Sequence, residues 1–450
     1  MSARADRFGS SARAGTVGVK MRVGLALAVA GFAGWALGAA EAEPFLAGAD
    51  FSHLKFFEDR GVVYRDGGTP RDALAILTNR GLNCVRLRLF TSSAAQAAAD
   101  PYNYINNLDY TLPLARRVKA AGLRLLLDFH YSDTWADPGH QRVPVAWTNL
   151  TFTQLVAQMR AYNSNVIATL TAAGAAPDYV QIGNEITQGI LWPHGRVGGS
   201  YDTSNQWSQL AQLLSAAIQG VRDAAPAAPR IIIHIDRGGD WAGAQWFFDR
   251  LNARAVAYDW IGLSYYPFWH GPLSNLQTTL SNAAARYGKP VLVMETAFPF
   301  ANSTNIYGFP ATTNGQVQFL IALAQIVKSV PGGRGQGIFW WGAEYQQLWG
   351  YNLAGFDQRS FFGPDGSALP VVSALGRLTA PTAIAATLAP PNLRLEWPLS
   401  GAGLSLVGTT SLAPGSVWQP VAASVEQTNL DYRATVPIEG DRRFFKLRSD

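Results

Sequence analysis

Eight short apolar runs punctuate the chain at residues 45–50, 83–89, 124–129, 179–183, 230–235, 260–264, 291–295 and 337–341. They are rich in Val, Ile and Leu and too short for helices, so they read as buried strands. Between them apolar residues recur at helical spacing over 70–80, 104–121, 151–173, 204–224, 241–254, 272–287 and 314–329, with a last such stretch at 369–378. Strands buried on both faces that alternate with amphipathic helices predict a parallel sheet covered by helices. Eight units in succession fit a closed (β/α)8 TIM barrel of the α/β class. An open doubly wound sheet is disfavoured, because Asp50-Phe51-Ser52-His53 follows the first strand where a glycine-rich phosphate loop would stand.

The pattern changes at both ends. Residues 1–42 open with basic residues up to Lys20-Met21-Arg22, continue apolar from Val23 to Gly38, and end in small residues, the layout of a secretory signal. The apolar run falls short of the roughly 20 residues that cross a bilayer. An exported protein with no stable membrane insertion after signal removal is therefore expected, whether secreted, periplasmic or at the cell surface. The barrel should then occupy 43–379. Residues 380–391, ending in Ala389-Pro390-Pro391, read as a linker, and the short alternating runs of 392–450 as a small all-β module. That module is either a sugar-binding unit or a passive tail.

Charge and cysteine content narrow the chemistry. The formal charge is +5, but residues 1–42 carry five basic and two acidic side chains, so the remainder is at +2. No basic patch argues for nucleic acid. The single Cys84 excludes an internal disulfide and lies in an apolar strand pattern, where a buried structural thiol is expected. No partner chain is implied, and a monomer is the expectation.

In a barrel of this kind the reactive groups sit at the C-terminal strand ends. Those ends carry Asp50, Arg86 and Arg88, Asp128-Phe129-His130-Tyr131, Asn184-Glu185, Ser264-Tyr265-Tyr266-Pro267-Phe268-Trp269-His270, Met294-Glu295-Thr296, and Trp340-Trp341. They hold no His or Cys cluster at metal-ligand spacing, so neither metal nor cofactor is expected. Two glutamates remain, Glu185 on the fourth strand and Glu295 on the seventh, in a cleft walled by Tyr and Trp. Paired carboxylates are what glycosidic cleavage requires, one as proton donor and one facing the sugar carbon; direct attack needs them about 5 to 5.5 Å apart. Arg88 and the strand-six tyrosines would keep Glu295 ionised, and burial beside a second carboxylate would keep Glu185 protonated.

Asp128-Phe129-His130-Tyr131-Ser132-Asp133-Thr134-Trp135-Ala136-Asp137-Pro138, Gly183-Asn184-Glu185 with Gly189-Ile190-Leu191-Trp192-Pro193, the stretch from Gly262 to Gly271, and Glu295-Thr296-Ala297 resemble the endo-β-1,4-galactanases of glycoside hydrolase family 53. The resemblance covers residues 45–378. It implies a retaining clan A hydrolase acting on internal β-1,4 bonds of galactan and type I arabinogalactan, with Glu185 as acid/base and Glu295 as nucleophile. It further implies that Arg88 and Asn184 support the nucleophile and the sugar 2-hydroxyl, and that His130, Tyr265 and Trp341 shape the subsite at the scissile bond. Tyr266, Trp192 and Trp269 are further expected substrate-binding residues.

The chain also departs from the family pattern. Trp341-Gly342-Ala343 stands where Trp-Glu-Pro is usual, with Glu344-Tyr345 following, and the loop from Phe298 to Pro310 is short beside members that resemble calcium binders. Bland readings accompany the sharp ones. Asp128 and Asp133 are expected as hydrogen-bonded scaffold, Asp50 and Arg86 as structural partners in the barrel mouth, and about half of Trp135, Trp192, Trp269 and Trp349 as sugar platforms. The competing functions are another clan A endo-glycanase, such as a mannanase or cellulase, and a non-catalytic polysaccharide-binding protein.

Overall fold

The computed structural model of the protein describes residues 43–225, 227–302, 304–401, 404–428, 431–438 and 443–449. The segment read as a secretory signal, 1–42, lies outside them. Among the described residues eight parallel strands close a barrel: β1 (Leu46–Asp50), β2 (Cys84–Leu89), β3 (Arg124–Phe129), β4 (Tyr179–Ile182), β5 (Arg230–Ile235), β6 (Trp260–Ser264), β7 (Val291–Thr296) and β8 (Gly335–Trp340). Each strand pairs with its neighbours in sequence, and β8 returns to β1. The main outer helices follow in turn: α1 (Ala73–Asn79), α2 (Leu108–Ala120), α3 (Phe152–Ala172), α4 (Ser204–Ala224), α5 (Trp241–Asn252), α6 (Leu273–Tyr287), α7 (Thr313–Lys328) and α8 (Pro370–Arg377). The chain is the (β/α)8 barrel its hydrophobic pattern predicts.

Helix starts differ from the periodicity where a capping side chain intervenes. α1 begins at Ala73 rather than Pro70, because the Asp72 carboxylate accepts the Ala75 N–H at 3.0 Å and Pro70 pairs in a two-residue ribbon. α2 begins at Leu108 rather than Tyr104, because Asn107 caps it through Tyr110 N–H at 3.1 Å and Pro101–Tyr104 forms its own short turn.

Strand alternation sorts the side chains into two cores. Outward residues pack under the helices. Inward residues Leu46, Cys84, Leu126, Tyr179, Ile232, Trp260, Leu292, Met294 and Phe339 fill the barrel with an apolar plug. Cys84 is buried in that plug, and burial pushes its thiol far up, as a structural cysteine requires. Two residues along, the inward positions of β2 to β5 become Arg86, Asp128, Gln181 and His234, and β6 ends in Ser264. The barrel thus carries a polar layer on an apolar base.

After the barrel, Ala385–Ala389, Asn392–Pro398, Asp431–Pro437 and Val425–Gln427 form one antiparallel sheet, and Gln419–Pro420, Leu404–Thr409 and Phe444–Ser449 another. Ala385–Ala389 falls within the stretch read as linker; it is the partner of Asn392–Pro398. This module meets the barrel through an Arg377–Asp431 ion pair and a Gln325 Nε2–H bond to the Tyr432 hydroxyl at 3.1 Å.

Candidate active site

A β-bulge puts Glu295 into the barrel mouth. Along the β6–β7 ladder Leu263 pairs with Val293, but Ser264 pairs with Glu295, so Met294 is an extra residue on β7. Met294 belongs to the apolar plug, and strict alternation would send Glu295 outward under the helices. The bulge turns it inward instead. Gly262 makes room, since a Cβ there would lie 2.2 Å from Met294 Cγ.

Glu185 is positioned by backbone strain. It adopts φ 48, ψ 50, a left-handed conformation that costs a non-glycine residue about 1–2 kcal/mol. The turn starts at Gly183 (φ 84), where a Cβ would meet Ile186 Cγ2 at 2.5 Å. Glu185 Oε1 accepts the Ser264 hydroxyl at 2.6 Å. Burial first, then the negative charge of Glu295, push its carboxyl well above the usual range, against the pull of that hydrogen bond.

Glu295 has a different setting. Its Oε1 pairs with Arg86 Nη1 at 2.8 Å and its Oε2 accepts the Tyr266 hydroxyl at 3.1 Å. Burial lifts it to about 6, and the Arg86 charge opposes that rise. Arg86 is fully enclosed and also reaches Asp50 Oδ2 at 3.1 Å, Asp128 Oδ2 at 2.8 Å, Asn184 Oδ1 at 2.8 Å and Gln181 Oε1 at 3.1 Å. The expectation that Arg88 supports Glu295 is therefore corrected. Both arginines point inward, but Arg88 sits one layer higher and turns to the β1 side, toward Asp50 Oδ1 (3.3 Å), His53 Nδ1 (2.7 Å) and Asn106 Oδ1 (3.2 Å). Arg86, read as a partner of Asp50, does pair with it and in addition holds Glu295.

The remaining predicted residues divide by where their polar atoms go. Asn184 donates its Nδ2–H to Ala136 O at 2.8 Å, which aims Oδ1 at Arg86. His130 Nδ1 accepts the Ala136 N–H at 3.0 Å, so Nε2 carries the proton toward Asp128 Oδ2 at 2.9 Å. Tyr265 does not face the carboxylates: its hydroxyl donates to Gly271 O at 2.6 Å and pins the β6 loop, leaving Tyr266 to reach Glu295. The Trp192 ring is tied back by its Nε1–H to Gln188 O at 2.8 Å, with the Arg196 guanidinium 4.3 Å over it, while its backbone N–H donates to Gln141 O at 2.7 Å on the loop after β3.

Trp341 and Trp269 belong to a chain of rings. It runs from Trp135 to Trp341 (6.1 Å), to Phe356 (4.2 Å), to Trp269 (6.5 Å) and on to Tyr266 (5.0 Å). Arg88 underlies one end, 4.1 Å over Trp135. Trp269 is 63% exposed, and Trp349, in the loop after β8, is 99% exposed. The open indole face of Trp269, against the Tyr266 ring that reaches Glu295, suits a carbohydrate platform.

Four supporting residues are given no role by the sequence, although Ser264 and Glu344 lie in stretches it singles out. Gln181, His234 and Ser264 link Arg86 to Glu185 under the site floor. A lone His inside Ile231-Ile232-Ile233-His234-Ile235 reads as core, and only its shared parity with an inward isoleucine signals its direction. The fourth, Glu344, is wholly buried; Oε1 accepts His53 N–H at 2.7 Å and Oε2 has no partner among the described residues. Burial, then the charge of Asp50, push it up to about 8. A folded value above the usual 4.5 means the native state binds the extra proton, so stability falls as pH rises between the two values. Glu344→Gln is expected to remove this slope, up to about 1.4 kcal/mol per pH unit. Urea denaturation of both proteins near pH 5 and pH 8 checks it.

No group of three or more His, Cys, Asp or Glu among the described residues is arranged to hold a metal ion. The sequence matches the model of glycosyl hydrolase family 53 over residues 46–375. It is 34% identical over 349 residues to the arabinogalactan endo-beta-1,4-galactanase of Humicola insolens, covering 74% of this chain and 98% of that protein. It is 39% identical over 310 residues to a probable arabinogalactan endo-beta-1,4-galactanase A of Aspergillus terreus, covering 65% of this chain and 84% of the relative. The solved catalytic domain of an Ignisphaera aggregans family 53 protein superposes with a TM-score of 0.68 at 33% identity, over 75% of this chain and 97% of the other. With a barrel, a carboxylate pair and a family match that all cover the same residues, the chain belongs to glycosyl hydrolase family 53.

Proposed function

We propose that this enzyme is a retaining endo-β-1,4-galactanase in which Glu295 is the nucleophile and Glu185 the acid/base. The observation that carries the reading is the unequal setting of the two buried carboxylates. Glu295 has an arginine and a tyrosine hydroxyl on its oxygens, which favour the charged form. Glu185 has a single neutral hydroxyl, which leaves burial and the Glu295 charge to favour its protonated form. The names of the relatives supply galactan as substrate, and the exposed indoles of Trp269 and Trp349 supply stacking faces for a chain longer than the two sugars at the scissile bond.

In the first step the Glu295 carboxylate bonds to the anomeric carbon as the glycosidic C–O bond breaks, and Glu185 gives its proton to the departing oxygen. In the second, Glu185, now a carboxylate, takes a proton from water while that water's oxygen bonds to the anomeric carbon and displaces Glu295. Two inversions restore the β configuration, and both carboxyls return to their starting states.

The pH dependence follows from the same pair. kcat/KM should rise as Glu295 ionises, near pH 6, and fall at higher pH as Glu185 loses its proton. A pH–rate profile on soluble galactan checks this, and activity that climbs below pH 4 would contradict it. Substrate class is tested by release of new reducing ends from β-1,4-linked galactan, mannan and cellulose. Galactan turnover well above the other two is expected; a preference for mannan or cellulose moves the enzyme to another clan A specificity, and no cleavage of any leaves a binding protein.

A further inference from the structure

Resting on the acid/base reading of Glu185, one further assignment concerns which of its two oxygens carries the proton. The polar groups under Glu185 form a chain whose first member can only donate. Arg86 Nε–H donates to Gln181 Oε1 at 3.1 Å, which turns the Gln181 amide nitrogen away from the arginine. That nitrogen has two hydrogens: Asp128 Oδ1 at 2.6 Å takes one, and Gly183 O at 3.0 Å, His234 Nδ1 at 3.1 Å and Asn184 Oδ1 at 3.3 Å share the direction of the other. His234 is enclosed, and burial together with the Arg86 charge holds it well below its usual range, so the ring is neutral with one N–H. When the second Gln181 hydrogen points at Nδ1, the ring proton is on Nε2, which lies 2.8 Å from Ser264 Oγ. The Ser264 hydroxyl then has its own proton for Glu185 Oε1, at 2.6 Å.

We infer that Gln181, His234 and Ser264 form a one-way hydrogen-bond relay that makes Glu185 Oε1 a permanent acceptor and places the transferable proton on Oε2. Ser264 touches the acid directly; His234 is a positioning residue that acts through it. The consequence is mechanistic. A proton on Oε1 would be spent on Ser264, whereas a proton on Oε2 is free for the glycosidic oxygen.

One neighbour competes. Asn184 Oδ1 lies 3.1 Å from His234 Nδ1; it accepts Arg86 Nη2 at 2.8 Å, and its second lone pair is open to Gln181 Nε2 at 3.3 Å or to a proton on Nδ1. A ring proton on Nδ1 would point to Asn184, turn the Ser264 proton toward His234, and reverse the assignment. The titratable groups facing this chain are Arg86, Asp128 and His130 around His234, and Glu295, Asp236 and Arg86 around Glu185.

The direct test is the ¹⁵N spectrum of the folded enzyme labelled at histidine, with His234→Gln identifying the His234 signals. A protonated Nε2 and an unprotonated Nδ1 are expected; the opposite tautomer overturns the relay. Kinetics of His234→Leu, His234→Gln and Ser264→Ala supply the second readout. On galactan, His234→Leu and Ser264→Ala should lose roughly 10- to 100-fold in kcat with little change in KM. The basic limb of Ser264→Ala should move up, because the Glu185 carboxylate loses its donor. The burst of aryl release from a dinitrophenyl glycoside, whose leaving group needs no proton, should stay near wild type in both. His234→Gln, which keeps a donor amide within reach of Ser264, should recover most of the galactan rate. Wild-type pH profiles in both variants, or equal losses on both substrates, overturn the relay. Glu185→Ala is run alongside: if it hydrolyses galactan at the wild-type rate, the acid/base reading itself has failed, a result distinct from failure of the relay alone.

Discussion

Glu295→Ala is expected to lower kcat on β-1,4-galactan by roughly 10⁴-fold or more, because no other group at the site can form the bond to the anomeric carbon. The fold should persist. Arg86 keeps Asp50 and Asp128 as partners when the Glu295 carboxylate is removed, so no buried charge is left alone. The vacated space gives a chemical signature that distinguishes a nucleophile from a positioning carboxylate. Azide, a small anion, can attack from where Glu295 stood while Glu185 still protonates the leaving oxygen, and a single displacement on a β-linked substrate yields an α-glycosyl azide. Glu185→Ala should give the opposite outcome, a β-glycosyl azide, since the covalent intermediate still forms there and azide replaces water in the second step. Residual activity of Glu295→Ala within tenfold of wild type, or a β-azide from it, would remove Glu295 from the nucleophile role.

Arg86→Ala is the second large effect, and it falls on stability as well as on rate. Five groups converge on that guanidinium, among them the carboxylates of Asp50, Asp128 and Glu295. Truncating one partner of a buried ion network leaves the others uncompensated, which costs about 3–5 kcal/mol. Surviving folded enzyme should show a second change. The Arg86 charge opposes the rise that burial imposes on Glu295, so its loss lifts Glu295 further and moves the acidic limb of the pH profile upward. Arg88→Met serves as the comparison, since Arg88 contacts Asp50, His53 and Asn106 and not Glu295. Its acidic limb should stay in place. Denaturation curves and pH–rate profiles of the two variants check both halves, and an acidic limb that moves with Arg88 rather than Arg86 would restore the assignment that sequence alone suggests.

The contrast between Arg86 and Arg88 shows where sequence stops being informative. Both stand on one face of β2, and period-two alternation says only that both point inward. Which one meets Glu295 depends on the layer at which the β7 bulge delivers the carboxylate, and a bulge leaves little trace in composition. Tyr265 and Tyr266 pose the same problem at the end of β6, where the chain leaves the strand and alternation ends. His234 is silent for another reason: a single polar residue among isoleucines is indistinguishable from a satisfied core histidine until Ser264 and Gln181 are seen beside it. The barrel itself was legible, because eight apolar runs separated by amphipathic helices leave few other ways to bury them, and the two glutamates were legible because they end such runs. Ala385–Ala389 was not. Its Ala and Thr residues have little strand propensity of their own, and the segment becomes a strand by pairing with Asn392–Pro398.

The anomeric configuration of the first-formed products tests the central claim most directly. ¹H NMR of β-1,4-galactan in the first minutes of digestion, before mutarotation, should show new reducing ends in the β form, as two displacements through Glu295 require. New ends appearing first in the α form would mean a single displacement by water, with Glu295 a base rather than a nucleophile, and would contradict the mechanism.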